Sequence, residues 1–468
     1  MDIRIYTKNV VVVGAGVSGL AFAHRLHELA GGSEALNIIV LEEGPEAGGV
    51  ISTESRDGFL LEKGPESFIS ENFDMMSLCR ELGLEEELIN TEPSHRKTFV
   101  AHRGRLHPLP EGFYLIAPKN IPAFLKTSLF SPAGKLRMLA ECLVPRSNGE
   151  DESVASFVRR RFGHEALERV GQPMLAGIYS GDPEELSMRS TMPRFCEAES
   201  THGSVLAGLS ARVPARGVRY GLFVSFKRGV RTLIDALASS LPDSSLRTGF
   251  RVASVTRERV QKRWNVVSEE GEKISADAVC LAVPARVSAE WLRRDSPELS
   301  KGLSEITYQS VATLNLAFDE SDIEHPMDGF GFVVPRTENR SLMACTFVHR
   351  KFADRAPQGK ALLRVFIGGA FGQHFFELPD RELEQVVLED LGALLGLRGK
   401  PLFSVLRRYR RALPQYRVGH KALLGRIANA EGVLPGLVLT GSSYRGTGMP
   451  DCVNDARLRA AELWKTLK

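Results

Sequence analysis

The chain has 468 residues, 43% apolar and 25% charged, with a formal net charge of +3; that suits a soluble protein of about three domains. The near-balance of charge excludes polyanion attraction as the dominant behaviour and gives no reason to invoke nucleic acid. Six scattered cysteines without C-x-x-C spacing, no histidine-metal motif and no run of ~18 apolar residues argue against a disulfide framework, a metal centre and a membrane span, and favour a reducing compartment such as the cytoplasm.

The run Asn9-Val10-Val11-Val12-Val13 predicts a buried strand ending in Gly14-Ala15-Gly16-Val17-Ser18-Gly19. A helix is predicted over Leu20–Leu29, with His24 and His27 on one face, and a second strand over Asn37–Leu41, closing on Glu42 and Glu43. Gly14 permits a tight turn, Gly16 lets a pyrophosphate approach the backbone, and Gly19 lets the helix pack on the sheet. The helix N-terminus adds unpaired N–H groups and partial positive charge. Glu42 is placed to accept from a ribose diol. Strand, glycines, helix and acid in this order point to a bound dinucleotide.

Gly48-Gly49-Val50 follows, then Gly64-Pro65-Glu66-Ser67. A Gly-Gly pair just beyond the ribose acid resembles the extended flavoprotein signature of the amine oxidase and phytoene desaturase superfamily, and the Glu62-Lys63-Gly64-Pro65 turn resembles it too. The resemblance implies FAD. The strand Gly436–Gly441, the loop Tyr444–Cys452 and the helix Val453–Leu467 form a second strand, glycine loop and helix start, with Thr447, Gly448 and Met449 at the flavin edge in that superfamily. Both ends of the chain then build one domain. A third cofactor segment is the helix Arg231–Leu241 and the strands up to Pro284, with Val252 near the adenine. The superfamily usually has Gly-Gly where this chain has Arg228-Gly229.

In the middle, Phe113–Ala117 and Phe124–Phe130 carry large apolar groups beside Lys119, Lys126 and Lys135. They read either as the core face of a helical unit or as a surface that meets a membrane peripherally. Gly177-Ile178-Tyr179-Ser180-Gly181-Asp182-Pro183, Leu413–His420 and Gly448–Cys452 resemble the oxygen-dependent, FAD-containing porphyrinogen oxidases over essentially the whole chain. That resemblance implies oxidation of protoporphyrinogen IX to protoporphyrin IX, with O2 reduced to hydrogen peroxide, in haem biosynthesis. The alternative is the same chemistry on coproporphyrinogen III. No catalytic side chain is implied, because the flavin takes the hydride.

The same resemblance puts Val333, Thr346 and Phe366 at ring-facing positions and the Gly177 carbonyl near the pyrrole N–H groups. It matches Thr98 to the position where plant and animal members keep a propionate-binding arginine, leaving Arg96 and Lys97 as the neighbouring cations. A downstream partner would be ferrochelatase, and the oligomer would be a monomer or a homodimer. A flavin amine oxidase or desaturase would share the cofactor ends but not the middle motifs. A flavin-less binding protein on the same scaffold is disfavoured by Glu42, Gly48-Gly49 and the Gly446–Met449 loop.

The fold class expected is α+β: a discontinuous α/β Rossmann-like FAD domain, a mixed-sheet substrate domain and a helical insertion. The boundaries read as 1–66, 222–285 and 434–468 for FAD, 67–102, 206–221 and 286–433 for substrate, and 103–205 for the helical unit.

Overall fold

The computed structural model describes residues 7–31, 36–147, 149, 151–211, 221–258 and 260–468; most of the expected segment 206–221 therefore lies outside the described residues. Five parallel strands form one sheet, in the spatial order Leu246–Arg247, Leu36–Leu41, Lys8–Val13, Ala278–Leu281 and Leu437–Leu439. Val10–Val13 are in register with Ile38–Leu41 on one side and Ala278–Leu281 on the other. These valines are buried on both faces, as an unbroken β-branched run requires of a central parallel strand. Val10 and Val12 pack with residues of the helices Val17–Ala30 and Met449–Leu467, while Val11 and Val13 pack with Trp264 and Leu281. The chain leaves the strand Lys8–Val13 to a neighbour on one side and receives a later strand on the other. The carboxyl end of that strand is thus a topological switch point, where open α/β sheets hold their ligands.

The helix expected from Leu20 begins at Val17, so Val17, Ser18 and Gly19 form its first turn with Gly16 as N-cap. The last helix likewise begins at Met449, four residues earlier than expected, with Pro450 in its first turn, where the missing proline N–H costs no hydrogen bond. The helices Ala285–Leu292, Pro297–Ser304 and His420–Gly432, grouped with the substrate sheet from sequence, share their core with Val11 and Val13. The helix Phe73–Glu81 joins the core of Val10 and Val12.

A second sheet has seven strands, in the order Phe403–Pro414, Tyr308–Asp319, Lys360–Gly368, Ala344–Phe347, Gly331–Val333, Thr98–His102 and Arg105–Pro108. Only the pair Gly331–Val333 and Thr98–His102 runs parallel. Phe99, Phe332, Cys345, Val365 and Ile367 share a core with the helix Asp380–Leu395. Val100, Val333 and Ala344 pack instead with the helical unit, whose core includes Phe124, Phe130, Phe157, Phe162 and Phe195. The apolar groups at Phe124–Phe130 are therefore largely core, although Leu125 is half-exposed. No helix among the described residues is long and apolar enough to cross a membrane.

Candidate active site

At the switch point the turn is set by glycine geometry. Gly14 has φ +100° and donates to Leu41 O at 2.8 Å, and a Cβ there would sit 2.7 Å from Ala282 O. At Gly19 a Cβ would fall 1.9 Å from Gly14 O. Gly16 differs: its φ is −72°, and a Cβ would meet nothing within 4 Å. Gly48 N donates to Ala15 O at 2.9 Å, and a Cβ on Gly49 would lie 3.5 Å from Gly16 Cα. Bare backbone thus lines an open cradle, with Val50 half-exposed at its rim.

Two helix starts converge here. Neither Gly16 nor Gly448 supplies a side-chain cap to its helix, so the first N–H groups of each are left for an anion. The two helices share one core, and Cys452 Sγ in the first turn of the second donates to Gly446 O at 3.6 Å. Met449 is buried in the shared core and Thr447 is half-buried. The Glu42 carboxylate accepts from Ala15 N through Oε2 and from Gly44 N through Oε1, both at 2.9 Å, leaving its remaining lone pairs for a diol. Phe250 N donates to Glu42 O and Gly249 N to Gly44 O, each at 2.9 Å. Those bonds hold the segment leading to half-buried Val252 against the Glu42 end of the cradle. Glu43 is exposed, 4.0 Å from Arg251 Nε.

The Glu62–Ser67 turn lies against the edge of this region. A Cβ on Gly64 would fall 1.8 Å from Val50 O. Glu62 accepts from Val230 N and Thr53 Oγ1, each at 2.8 Å. Burial pushes its carboxyl up to about 7, against those two bonds. Burial also works to raise Glu66, but Lys351 and Arg364 outweigh it and hold that carboxyl below its usual range. Lys351 pairs with Glu66 and reaches Ser67 Oγ at 3.4 Å. In the Arg228-Gly229 turn, Gly229 has φ +89° and packs on Thr53 and Glu62, while the exposed Arg228 turns to Glu87.

The Glu62 geometry carries a pH prediction. A carboxyl whose folded pKa is raised favours the fold below its unfolded value of 4.5 and loses that stability as pH climbs to about 7. Glu62→Gln should therefore stabilise the protein relative to the parent at about pH 8, by on the order of 3 kcal/mol, with the gain vanishing near pH 4. Urea unfolding of both proteins across that range measures it, and a gain independent of pH would contradict the burial argument.

On the second sheet, register builds two cross-strand rows on one face. One runs Thr313, Phe366, Ala344, Val333, Val100, and the other Asn315, Arg364, Thr346, Gly331, Thr98. Val333, Thr346 and Phe366 are thereby brought together. Gly177 lies in the last turn of the helix Gln172–Tyr179, which ends at Ser180 (φ +50°) and not at a glycine. Carbonyls in that turn lack helical partners, and a Cβ on Gly177 would meet nothing within 4 Å. The motif Leu413–His420 acts as a staple. Gln415 Nε2 donates to Tyr179 O at 3.0 Å, Tyr416 Oη donates to Ser442 O at 2.6 Å, and Gly446 N donates to Tyr416 Oη at 2.9 Å. It ties the Gly177 helix to the C-terminal cofactor loop.

Arg96 and Lys97 are both exposed, and Lys97 pairs with Asp328. Missed from sequence were Thr313, Asn315 and Arg364, whose side chains meet the Glu62–Gly64 turn. A lone arginine inside Ala361-Leu362-Leu363-Arg364-Val365-Phe366-Ile367 was the available signal.

A switch-point cradle, two uncapped helix starts and an acid at the second strand end define a dinucleotide-binding protein with a second sheet joined to the cofactor region. The similarity of the chain to known proteins narrows the class. The chain belongs to the flavin-containing amine oxidoreductase family, whose model matches residues 17–463. It is 32% identical to coproporphyrinogen III oxidase of Bacillus subtilis over 464 residues, 97% of each chain. It is 31% identical to the chloroplastic protoporphyrinogen oxidase of Nicotiana tabacum, over 97% of this chain and 85% of the other. A solved structure from Exiguobacterium, provisionally named a protoporphyrinogen oxidase, superposes with a TM-score of 0.88 at 30% identity, covering 98% and 99% of the two chains. The protein is an oxidoreductase of the flavin type, and its expected α+β class stands.

Proposed function

We propose that the protein oxidises a porphyrinogen to its porphyrin in haem biosynthesis, using FAD and O2 and releasing hydrogen peroxide. The observation that carries this reading is the sheet face bearing Phe366, Ala344, Val333 and Val100, joined through Thr313, Asn315 and Arg364 to the Glu62–Gly64 turn. Val100 is closed off by the core of the helical unit, whereas Phe366 and Thr346 stay half-buried, so that part of the face is the apolar wall against which a flat macrocycle would lie. When bound, the flavin accepts the hydride and passes its electrons to O2.

The chain's own residues bind, orient and exclude water. The Gly16 and Gly448 helix starts hold the pyrophosphate and flavin edge, and Glu42 holds the ribose. Ala15, Val17, Ser18, Gly48, Gly49 and Gly64–Ser67 supply backbone along the cofactor. Phe366 and Val333 set the plane of the substrate, with Thr346 beside them. The Gly177 carbonyl accepts from pyrrole N–H groups, and of Arg96 and Lys97 it is Arg96 that has no acid partner among the described residues and is left for a propionate. We read coproporphyrinogen III as the substrate, in line with the relative in Bacillus subtilis; protoporphyrinogen IX is the second reading, in line with the tobacco enzyme. The product would pass to a chelatase that inserts iron, in the cytoplasm or at a membrane face.

Parallel fluorescence assays with the two reduced porphyrinogens, in air and without it, test this. Porphyrin should form only in air, faster from coproporphyrinogen III, with one peroxide per two electrons removed. A yellow protein inert toward both substrates would overturn the reading. Within it, Phe366→Ala should raise KM about tenfold, equivalent to ~1.4 kcal/mol, at unchanged flavin content. Unchanged kinetics would remove Phe366 from the substrate face.

A further inference from the structure

Three successive carbonyls of the cofactor turn are held by side chains of the substrate-facing sheet. Asn315 Nδ2 donates to Glu62 O at 3.2 Å, Thr313 Oγ1 donates to Lys63 O at 3.0 Å, and the Arg364 guanidinium donates to Gly64 O. The donors stand on adjacent strands, with Asn315 opposite Arg364 and Thr313 opposite Phe366. Arg364 is the only charged member. Its side chain is 3% exposed, its Nη1 lies 3.6 Å from Glu66 Oε2, and its guanidinium carbon lies 4.8 Å from the centre of the Phe366 ring. One residue therefore touches both the turn under the cofactor and the ring assigned to the substrate.

The polar accounting of this seam is incomplete within the chain. Among the described residues, Arg364 Nε, Glu66 Oε2 and Asn315 Oδ1 are buried and find no hydrogen-bond partner. Lys351 pairs with Glu66 and Arg364 Nη1 lies 3.6 Å from it, while Arg355 is shared among Glu66, Glu62 and the exposed Asp354. At Glu66 itself, two cations thus face one carboxylate. A surplus of buried charge is costly unless something of opposite sign completes it. The group that gains negative charge beside this turn during turnover is the flavin, and a cation already fixed in a dry site stabilises such charge without reorganising.

We propose that Arg364 is a positioning residue that holds the Gly64–Pro65 turn against the isoalloxazine and, by its charge, favours the reduced flavin over the oxidised one. The proposal rests on reading that turn as the bed of the flavin. Phe366 is fixed by the same guanidinium, so the substrate plane and the cofactor plane share one support.

The test uses the FAD-loaded protein and its two-electron midpoint potential, measured by equilibration with redox dyes. A parent that is colourless and takes up no added FAD defeats the cofactor reading itself. With a yellow parent, Arg364→Met should weaken the preference for reduced flavin at least tenfold, a fall of about 30 mV. Arg364→Lys, which keeps the charge, should stay within threefold of the parent, and Thr313→Val, which removes a clamp without a charge, should leave the potential unchanged. A folded Arg364→Met protein with the parental potential overturns the proposal, even if its KM has risen, because the residue then serves the substrate alone. If Arg364→Met holds no flavin, Arg364→Lys decides. A parental potential supports the proposal, and a tenfold loss overturns it.

Discussion

Replacing Gly16 by valine should leave a folded protein without flavin. The expectation follows from the contrast among three glycines in one turn. At Gly14 an added Cβ would sit 2.7 Å from Ala282 O, and at Gly19 only 1.9 Å from Gly14 O. Side chains at those two positions collide with backbone and should damage the fold. Gly16 has φ −72° and open space around the Cβ position. The Cβ of a valine there meets no neighbour of its own chain, and the backbone needs no glycine. The space it fills is the approach to the helix N-terminus, where the pyrophosphate must come within hydrogen-bonding range of the backbone. Flavin absorbance per protein should fall at least tenfold, a loss of ~1.4 kcal/mol or more in binding. Thermal unfolding of the flavin-free parent and variant should coincide. Normal flavin content in Gly16→Val would displace the cofactor from the switch point, and with it the roles given to Glu42 and Gly448.

The cofactor half of this site was legible in sequence because its geometry is local. Strand, turn and helix follow one another within thirty residues, and Gly14, Gly16 and Gly19 each answer a steric demand made inside that stretch. The substrate half was not legible in the same way. That Phe366, Thr346 and Val333 share a face depends on register among strands far apart in the chain, and a slip of one residue would turn every side chain to the other face. Resemblance to relatives supplied those positions, not periodicity. The helices at 285–304 were assigned with the substrate sheet by chain position alone, because a helix that buries one face does not itself say what covers it. Their packing against Val11 and Val13 is a tertiary choice. Arg364 was visible as a charge in an apolar strand, yet its partner, the Gly64 carbonyl, lies 300 residues away.

The helical unit encloses a buried charge network, and removing one partner from it should be strongly destabilising. Arg161 and Glu141 are both fully buried, with Arg161 Nη1 at 3.0 Å from Glu141 Oε1. Arg161 also donates to Glu199 and to the carbonyls of Val144 and Gly203, at 3.1 and 3.0 Å. Glu199 has a second cation in Arg160, but no other cation hydrogen-bonds Glu141 among the described residues. Arg161→Met therefore strands a carboxylate in the interior, and an uncompensated buried charge costs about 3–5 kcal/mol. Glu141 also accepts from Val205 N at 2.8 Å and from Ser204 Oγ at 2.6 Å. A glutamine can keep the first bond and donate to the hydroxyl in place of the second. The double variant Arg161→Met, Glu141→Gln should accordingly recover a large part of the loss, although it gains no ionic contact over Arg161→Met alone. Urea unfolding of the single and double variants measures the coupling. Because the Gly177 helix stands on this core, the single variant should raise KM for the porphyrinogen before it loses flavin. Equal stability of the single and double variants would mean that the stranded carboxylate is not what weakens the unit.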